Sequence, residues 1–231
     1  MCGRYTITVT LEELMLRYMI GAVSVPYHRP QYNVAPGQQV LAIIHDSKQN
    51  RLGELKWGLI PPWADSPKVG YTMLNARSET AASKPAFQSA LRRKRCLIPA
   101  DGFYEWKTTA NGKQPMRIVR KDRSLFSMAG LYETWTSPDG TIINSCTILT
   151  TAPNTLMAPI HDRMPVILRP EDESFWLDRS VQEPYALGRL FQSYAAEELE
   201  AYPVAAAVGN VRHDTPDCIE PIVPDEQLGL W

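Results

Sequence analysis

The sequence predicts an α+β fold: a single compact domain of mainly antiparallel β-strands in a barrel-like arrangement, with a few peripheral helices. Short apolar runs of strand length recur along the chain. Tight-turn pairs, such as Asn111-Gly112 and Asp139-Gly140, separate several of these runs. No internal repeat or low-complexity linker divides the 231 residues. We therefore place one domain at residues 1–222 and a loose C-terminal tail at 223–231, which is rich in proline and acidic residues.

The strand predictions rest on apolar runs rich in β-branched and aromatic residues. They cover residues 40–45, 52–59, 96–98, 116–119, 125–134, 142–151, 166–168 and 202–208. Helical spacing of apolar residues predicts helices at 11–20, 87–91, 171–177 and 185–194, with one further helical turn at 153–157. The first helix has the clearest start, because Thr10 and Glu13 form a capping-box pattern.

Composition and charge exclude several classes of protein. Hydrophobic residues make up 44% of the chain and charged residues 21%, which is typical of a globular protein with a full core. The net charge of −1 provides no global field for nucleic acid or anionic membranes, so a DNA site would have to be a local basic patch. No apolar run approaches the ~20 residues of a membrane span, and no export signal is visible. We expect a cytoplasmic protein that does not bind membranes.

Neither a metal nor an organic cofactor is predicted. The cysteines show no C-x-x-C spacing, and the histidines are not paired at metal-ligand spacing (Cys2, Cys96, Cys146, Cys218; His28, His45, His161, His213). Cys96 and Cys146 lie in apolar strand-like runs, so we expect them to be buried, unreactive thiols.

Cys2 is the residue around which the functional interpretation is built. A small residue at position 2 favours removal of Met1 by methionine aminopeptidase, which would leave a cysteine carrying both an α-amine and a thiol. The amine can condense with an aldehyde to a Schiff base, and the thiol can then close on the same carbon to form a thiazolidine. Because these groups titrate near ~7.7–8.0 and ~8.5, both have a reactive fraction at neutral pH.

Three interpretations of Cys2 remain open on this basis. It is a small residue after the start codon with no further role, the nucleophile of an N-terminal-nucleophile hydrolase of the glutaminase type, or an aldehyde trap. The glutaminase signature usually continues with apolar residues, whereas Arg4 and Tyr5 follow here. A cation two residues from the nucleophile is better suited to a phosphate-bearing substrate.

Two titratable residues stand in settings that suit proton transfer. Glu105 lies among aromatic residues, where desolvation would raise the pKa of its carboxyl; the alternative is an outward-facing residue paired with a nearby cation. A lone histidine is usually a satisfied surface or core residue, but His161 stands at a strand entrance next to Asp162 and Arg163, which makes it a better candidate for a proton shuttle than most.

Other polar and aromatic residues allow both a structural and a functional interpretation. Asn33 precedes a rigid Pro-Gly turn and would either bond local backbone or line a site. Residues 75–80 mix an amide, a cation, a hydroxyl and an anion, as surface loops and binding sites both do. Trp57 is expected in the core, whereas Trp63 lies beside polar residues and is expected to be exposed as a stacking surface for a base.

Taken together, these motifs resemble the SRAP family, named for SOS-response-associated peptidases, which shield abasic sites by DNA–protein crosslinking. The motifs follow the family's order along roughly residues 1–222, beginning with Met1-Cys2-Gly3-Arg4 and continuing at 32–37, 57–58, 75–80, 100–106, 127–131, 160–166 and 207–211. The resemblance implies the SRAP fold, with a positively charged groove for single-stranded DNA.

The resemblance also implies roles for individual residues. The substrate would be the ring-opened aldehyde of an abasic site, crosslinked by Cys2 with help from Asn75, Glu105 and His161. Arg4, Arg77 and Arg163 would hold phosphates, and the remaining DNA-binding residues would be Asn33, Trp63, Trp106 and Thr150. Removal of Met1 by self-cleavage and abasic-site lyase activity are further implied activities. We expect a monomer that associates with the nucleoid when bound to DNA. A non-covalent reader of modified bases is the remaining alternative, and it predicts reversible binding that does not depend on Cys2.

Overall fold

The structure is a computed structural model, and it describes residues 2–25 and 27–223. The predicted α+β architecture, with mainly antiparallel strands, a barrel and a few helices, is confirmed. The strands within the described residues are β1 Tyr5–Ile7, β2 Ile20–Val23, β3 Gln31–Val34, β4 Gln39–His45, β5 Asn50–Trp57, β6 Asn75–Arg77, β7 Arg95–Ala100, β8 Gly102–Thr109, β9 Gly112–Arg120, β10 Phe126–Thr136, β11 Ile142–Thr151, β12 Met164–Pro165, β13 Ile167–Leu168 and β14 Leu199–Pro203. The α-helices are α1 Leu11–Arg17, α2 Ser78–Ala81, α3 Pro85–Arg93, α4 Pro170–Leu177 and α5 Pro184–Gly188.

Five strands form a closed barrel. Antiparallel pairing runs through β5, β4, β7, β10 and β11, and a parallel contact of β11 with β5 closes the ring. The closure needs a glycine at the end of β5, since the Gly58 backbone N–H donates to the Cys146 carbonyl (2.8 Å) at a φ of +130°. A side chain there would also stand 2.7 Å from the Gly70 carbonyl oxygen. Only a residue without a Cβ therefore fits this corner.

A second sheet, in the order β14-β9-β8-β1-β3, packs against the barrel. Aromatic contacts join the two layers: Tyr5 of β1 lies 5.5 Å from Trp57, and Phe103 of β8 meets Phe126 edge-on at 6.3 Å between ring centroids. All four rings are buried in one core. The second sheet therefore positions the beginning of the chain against one end of the barrel.

The helices lie at the periphery and differ in part from the sequence-based predictions. The Thr10/Glu13 capping box is present, but α1 ends at Arg17 because Met19 takes a positive φ of 47°. The predicted helix 185–194 is shorter than expected, since α5 ends at Gly188 and a 3-10 turn follows at Arg189–Phe191. Residues 155–160 form turns rather than a helix. The described helices include none that is long and apolar enough to cross a membrane.

The strand predictions agree with the structure at most positions. The Asn111-Gly112 hairpin joins β8 to β9, and the predicted strand 142–151 coincides with β11. The last strand was predicted too late in the chain: β14 covers Leu199–Pro203, and a 3-10 turn at Ala206–Gly209 replaces the second half of the predicted run. Most of the predicted tail, residues 224–231, lies outside the described residues.

Candidate active site

Four segments that are distant in sequence meet where the chain begins. The antiparallel pairing of Tyr5 with Phe103 is continued by a hydrogen bond from the Tyr104 backbone N–H to the Arg4 carbonyl (3.0 Å). This register brings the residues before Arg4 alongside Glu105 on β8. The parallel pairing of β6 with β11 adds Asn75, and the turn before β12 adds His161. The four predicted catalytic residues are thus gathered at one place.

Asn75 holds the first described residue of the chain. Its Nδ2 donates to the Cys2 carbonyl at 2.9 Å. Its buried Oδ1 has no hydrogen-bond partner among the described residues. A buried amide oxygen left unsatisfied is costly in free energy, so its retention here points to a group that binds at the site.

Glu105 is buried, with 2% of its surface exposed. Burial raises the pKa of its carboxyl, and the nearby His161 opposes that shift. The Glu105 Oε2 lies 3.8 Å from His161 Nε2, too far for a direct hydrogen bond but close enough for electrostatic coupling. The sequence-based expectation of a carboxyl with a raised pKa is confirmed.

The orientation of the His161 ring follows from its backbone contact. The Arg163 backbone N–H lies 3.0 Å from His161 Nδ1 and can only donate, so Nδ1 accepts in the neutral ring. The proton of that ring is then on Nε2, which faces Glu105. The exposed Asp162 carboxylate is also 3.0 Å from Nδ1. These contacts hold the ring with Nε2 toward Glu105.

Cys2 itself is fully buried. Burial raises the pKa of its thiol well above the ordinary value, and the Glu105 carboxylate raises it further, while the Arg4 backbone N–H lowers it. The sequence carries Met1 before Cys2, so the Cys2 nitrogen belongs to a peptide bond. In this form of the chain the thiol is that of a buried internal cysteine, with little thiolate at neutral pH.

An ion pair forms one rim of the site. Arg163 binds Glu79 through two hydrogen bonds of 2.7 and 2.8 Å and donates to the Thr150 carbonyl at 2.6 Å. Thr150 is buried, and its backbone pairs in register with Arg77 on β6. Arg77 is exposed, so its guanidinium faces solvent beside the site.

Arg4 and Asn33 are committed to contacts within the protein. The Arg4 guanidinium donates to Asn33 Oδ1 (2.7 Å) and to the carbonyls of Val208 (2.7 Å) and Gly209 (3.1 Å). The Asn33 Nδ2 lies within 3.1 Å of the carbonyls of Val208, Asn210 and His213. Both side chains are buried, and together they hold residues 208–213 against the start of β1. The structural interpretation of Asn33 thus gains support, and DNA contact by either residue stays a prediction.

The tryptophans differ in exposure. Trp63 is 62% exposed, and Trp57 is buried with its indole N–H donating to the Leu74 carbonyl (2.9 Å); both observations confirm the sequence-based expectations. Trp106 is half-buried, with the Arg4 guanidinium 5.9 Å from its ring centre. An exposed indole and a partly covered one are thus available as flat apolar surfaces.

Sequence reasoning missed two acidic residues that position the site. Asp101 is buried and accepts hydrogen bonds from Thr6, from the Thr8 backbone N–H (2.8 Å) and from Arg117 (3.3 Å), which ties β1 to β8. Glu79 orients Arg163, as described above. No local pattern marks either residue, because Thr6 is 95 residues from Asp101 and Arg163 is 84 residues from Glu79 in sequence.

The described residues include no group of three or more His, Cys, Asp or Glu side chains that could hold a metal ion. The thiols of Cys96 and Cys146 are buried, and burial raises their pKa, as expected for unreactive cysteines. The candidate active site contains a thiol, a carboxyl, an imidazole and an amide.

Comparison with a family model and with known proteins points to one family. The family model described as "SOS response associated peptidase (SRAP)" matches residues 1–211. The chain is 49% identical over 223 residues to the abasic site processing protein YoqW of Bacillus subtilis, covering 95% of this chain and 99% of that protein. It is 32% identical over 227 residues to the abasic site processing protein YedK of Escherichia coli, covering 96% and 100%.

A vertebrate relative and a solved structure extend the same comparison. The abasic site processing protein HMCES of Xenopus tropicalis is 33% identical over 234 residues, covering 87% of this chain and 69% of that protein. A crystal structure of a Bacteroides thetaiotaomicron protein superposes with a TM-score of 0.88 at 27% identity, covering 96% of this chain and 100% of that one. With a family model that spans nearly the whole chain, and with relatives of this similarity, the protein belongs to the SOS response associated peptidase family.

Proposed function

We propose that the protein processes abasic sites in DNA by forming a covalent thiazolidine between Cys2 and the ring-opened sugar aldehyde. The observation that carries this proposal is the arrangement around Cys2. Asn75 holds the Cys2 carbonyl, and Glu105 and His161 form a proton-transfer pair beside it. The names of the curated relatives, which are abasic site processing proteins, support DNA with abasic sites as the target.

Removal of Met1 is the first step of the proposed mechanism. It converts the Cys2 amide nitrogen into an α-amine, and the ammonium form of that amine lowers the pKa of the adjacent thiol. The buried cysteine with a raised thiol pKa then becomes a 1,2-aminothiol. Self-cleavage would account for the peptidase name of the family, with Glu105 and His161 as the available proton carriers.

Ring opening is the second step. An abasic deoxyribose is a cyclic hemiacetal, and opening it requires a proton on the ring oxygen and loss of a proton from the C1′ hydroxyl. The Glu105 carboxyl, whose pKa is raised by burial, retains a proton at higher pH than an exposed glutamate and can donate it. His161 can accept the second proton, and the unpartnered Asn75 Oδ1 can accept a hydrogen bond from a sugar hydroxyl.

Adduct formation is the third step. The Cys2 amine attacks the C1′ aldehyde, and water leaves to give a Schiff base. The thiol then adds to the same carbon, and its proton passes to the nitrogen, so that one water is lost overall. A Schiff base at C1′ would also permit strand cleavage, which is the basis for the proposed lyase activity.

DNA binding would use the groups that remain accessible at the rim. Arg77 is exposed and offers a planar donor fork to a phosphate. Trp63 and Trp106 offer surfaces on which bases of a single strand can stack. Arg163 would have to exchange part of its Glu79 ion pair for a phosphate, whereas Arg4 and Asn33 would act by holding the start of β1 in place.

The Cys2 thiol is tested by substitution. We expect Cys2→Ala to abolish the heat-stable adduct with abasic single-stranded DNA, because no thiazolidine can form. An added N-terminal residue that blocks the amine should have the same effect. Cys218→Ala, which removes a buried thiol elsewhere, should leave the adduct intact. Denaturing electrophoresis with intact mass measures the outcome; a heat-stable adduct in Cys2→Ala would contradict the proposal.

Asn75 is tested by removing its amide. Asn75→Ala loses the hydrogen bond to the Cys2 carbonyl, and we expect adduct formation to slow by about 10²-fold, because a small misplacement of a reacting group costs about that much. Single-turnover rates at saturating DNA separate this effect from binding. Asn144→Ala serves as the control, since Asn144 lies exposed at the far end of β11. Equal rates for wild type and Asn75→Ala would remove Asn75 from the mechanism.

The raised pKa of the Glu105 carboxyl predicts how the stability of the protein depends on pH. Because burial raises the pKa of its carboxyl in the folded state, the folded protein favours the protonated form, and stability falls as pH rises through that pKa. Glu105→Gln should therefore increase the free energy of unfolding more at pH 8 than at pH 5, measured by urea titration, while slowing adduct formation.

Glu79→Gln is the matched control with the opposite sign. The Arg163 guanidinium lowers the pKa of the Glu79 carboxyl, so its contribution is present at neutral pH and lost as pH falls through the lowered pKa. Glu79→Gln should destabilise the protein at neutral pH and have little effect in acid. A Glu105→Gln variant that follows the Glu79→Gln pattern would contradict the assignment of a buried carboxyl with a raised pKa.

A further inference from the structure

One stretch of the chain carries only positive charge. The whole sequence has 24 Lys and Arg against 25 Asp and Glu. Residues 80–100 contain no acidic residue and five basic ones, namely Lys84, Arg92, Arg93, Lys94 and Arg95. Arg95 is buried and bonds backbone carbonyls, and Lys94 is paired with the Glu133 carboxylate at 2.6 Å, so Lys84, Arg92 and Arg93 supply the charge of the surface.

The helix α3 presents this charge on its solvent-exposed side. Phe87, Ala90 and Leu91 are buried against the sheet. Lys84, Gln88 and Arg92 follow at intervals of four residues and are exposed, with Arg93 beside them. No ion pair of Lys84, Arg92 or Arg93 is found in the described part of the chain. These side chains form a row along the helix, which we call the α3 basic face (Lys84, Gln88, Arg92, Arg93).

Helix stability explains only part of this pattern. Arg92 and Arg93 in the last turn complement the helix dipole. Lys84, however, is the N-cap residue, and the first turn holds no acidic residue. A cation at the positive end of the dipole is unfavourable, so the placement of Lys84 suggests selection for something other than the helix.

The α3 basic face ends at a concave pocket. This open pocket has a volume of about 420 Å³ and is lined by Arg93, Lys94, Tyr132, Arg179 and Gln182. The lining contains three cations, a hydroxyl and an amide; Lys94 is paired with Glu133 at 2.6 Å, which leaves Arg93 and Arg179 as the cations without an ion pair among the described residues. Arg179 donates to the Tyr132 hydroxyl at 2.8 Å, which fixes both groups at the pocket wall. Such a lining is suited to a phosphate group.

The other end of the α3 basic face reaches the candidate active site. The strand β6, which carries Asn75 and the exposed Arg77, leads directly into α2, and α2 contacts α3. The only acidic residue between Arg77 and the end of α3 is Glu79, which is occupied by Arg163. The basic residues Arg77 and Lys84 thus flank α2 on the way from the rim of the site to α3.

The geometry points to a second phosphate-binding surface, on the α3 basic face and its terminal pocket, that holds the DNA backbone flanking the reacting nucleotide. This inference rests on the proposed function for its DNA target. The helix α3 has nine residues and is about 13 Å long, which is long enough to lie beside several successive phosphates of one strand. The surface adds affinity without contributing to the chemistry at Cys2.

The test varies the length of the DNA and removes positive charge from the α3 basic face. The triple variant Lys84→Gln/Arg92→Gln/Arg93→Gln is measured against wild type on three abasic oligonucleotides: a pentamer centred on the lesion, and versions extended by eight nucleotides on the 5′ or on the 3′ side. Fluorescence anisotropy at several salt concentrations gives the affinity, with adduct formation blocked by reducing the aldehyde. The control variant Lys48→Gln/Lys113→Gln/Lys121→Gln removes three other exposed cations.

We expect wild type to bind one of the extended oligonucleotides more tightly than the pentamer. The triple variant should bind that extended oligonucleotide about 10- to 100-fold more weakly than wild type does. Its salt slope on that oligonucleotide should fall by about 2, at ~0.7 per lost phosphate contact. The control variant should retain the gain. The pentamer should bind and crosslink equally well with all three proteins.

Two outcomes would overturn the inference. One is the absence of any gain on extension in wild type; the other is an equal loss for the triple and control variants. Either result, with normal crosslinking of the pentamer by wild type, rejects the second surface alone. Absence of crosslinking in wild type would instead reject the proposed function, so the two failures are distinguishable.

Discussion

The structure depends on the anchoring of a three-residue strand at the beginning of the chain. The strand β1 is paired on both sides, with β3 and with β8. The buried Asp101 carboxylate binds it through Thr6 and Thr8, and Arg4 ties its start to the carbonyls of Val208 and Gly209. A chain terminus is normally the most mobile part of a domain. Here these contacts fix the backbone up to Cys2, which allows a terminal residue to take part in chemistry that requires precise placement.

The residues around Cys2 contribute to function in ways that cost stability. A carboxyl with a pKa raised by burial and a buried amide oxygen without a partner both disfavour the folded state. The barrel and the second sheet supply the compensating apolar core, in which Tyr5, Trp57, Phe103 and Phe126 are almost fully buried. Local frustration of this kind is typical of active sites. The rest of the fold holds these polar groups together without satisfying all of them.

Much of the architecture was predictable from the sequence, because strand length, turn pairs and the capping box are local signals. The hairpin at Asn111-Gly112 and the strand β11 are examples. The closure of the barrel was not predictable in detail, because it depends on a parallel contact between Cys146 and Trp57, 89 residues apart. The early end of α1 likewise depends on the positive φ of Met19, which follows Tyr18, a residue whose buried hydroxyl donates to the distant Phe126 carbonyl.

The candidate site was predictable to a similar degree. Unusual local settings drew attention to Cys2, Glu105 and His161, and the resemblance to a family added Asn75. The sequence alone does not separate two roles for Arg4 and Asn33, since a guanidinium and an amide can form hydrogen bonds with DNA as well as with backbone carbonyls. Only the fold shows that residues 208–213 reach them. The roles of Asp101 and Glu79 depend on partners that are distant in sequence, Thr6 and Arg163, so no periodic pattern indicates them.

The central claim is that nitrogen and sulphur of the same residue bond to one sugar carbon. Nuclear magnetic resonance of an abasic oligonucleotide labelled with ¹³C at C1′, bound to ¹⁵N-labelled protein, tests this most directly. The account predicts a tetrahedral C1′ signal that is coupled to the Cys2 nitrogen and has the shift of a carbon attached to both nitrogen and sulphur. A trigonal imine carbon as the final product, or coupling to a lysine nitrogen, would contradict it.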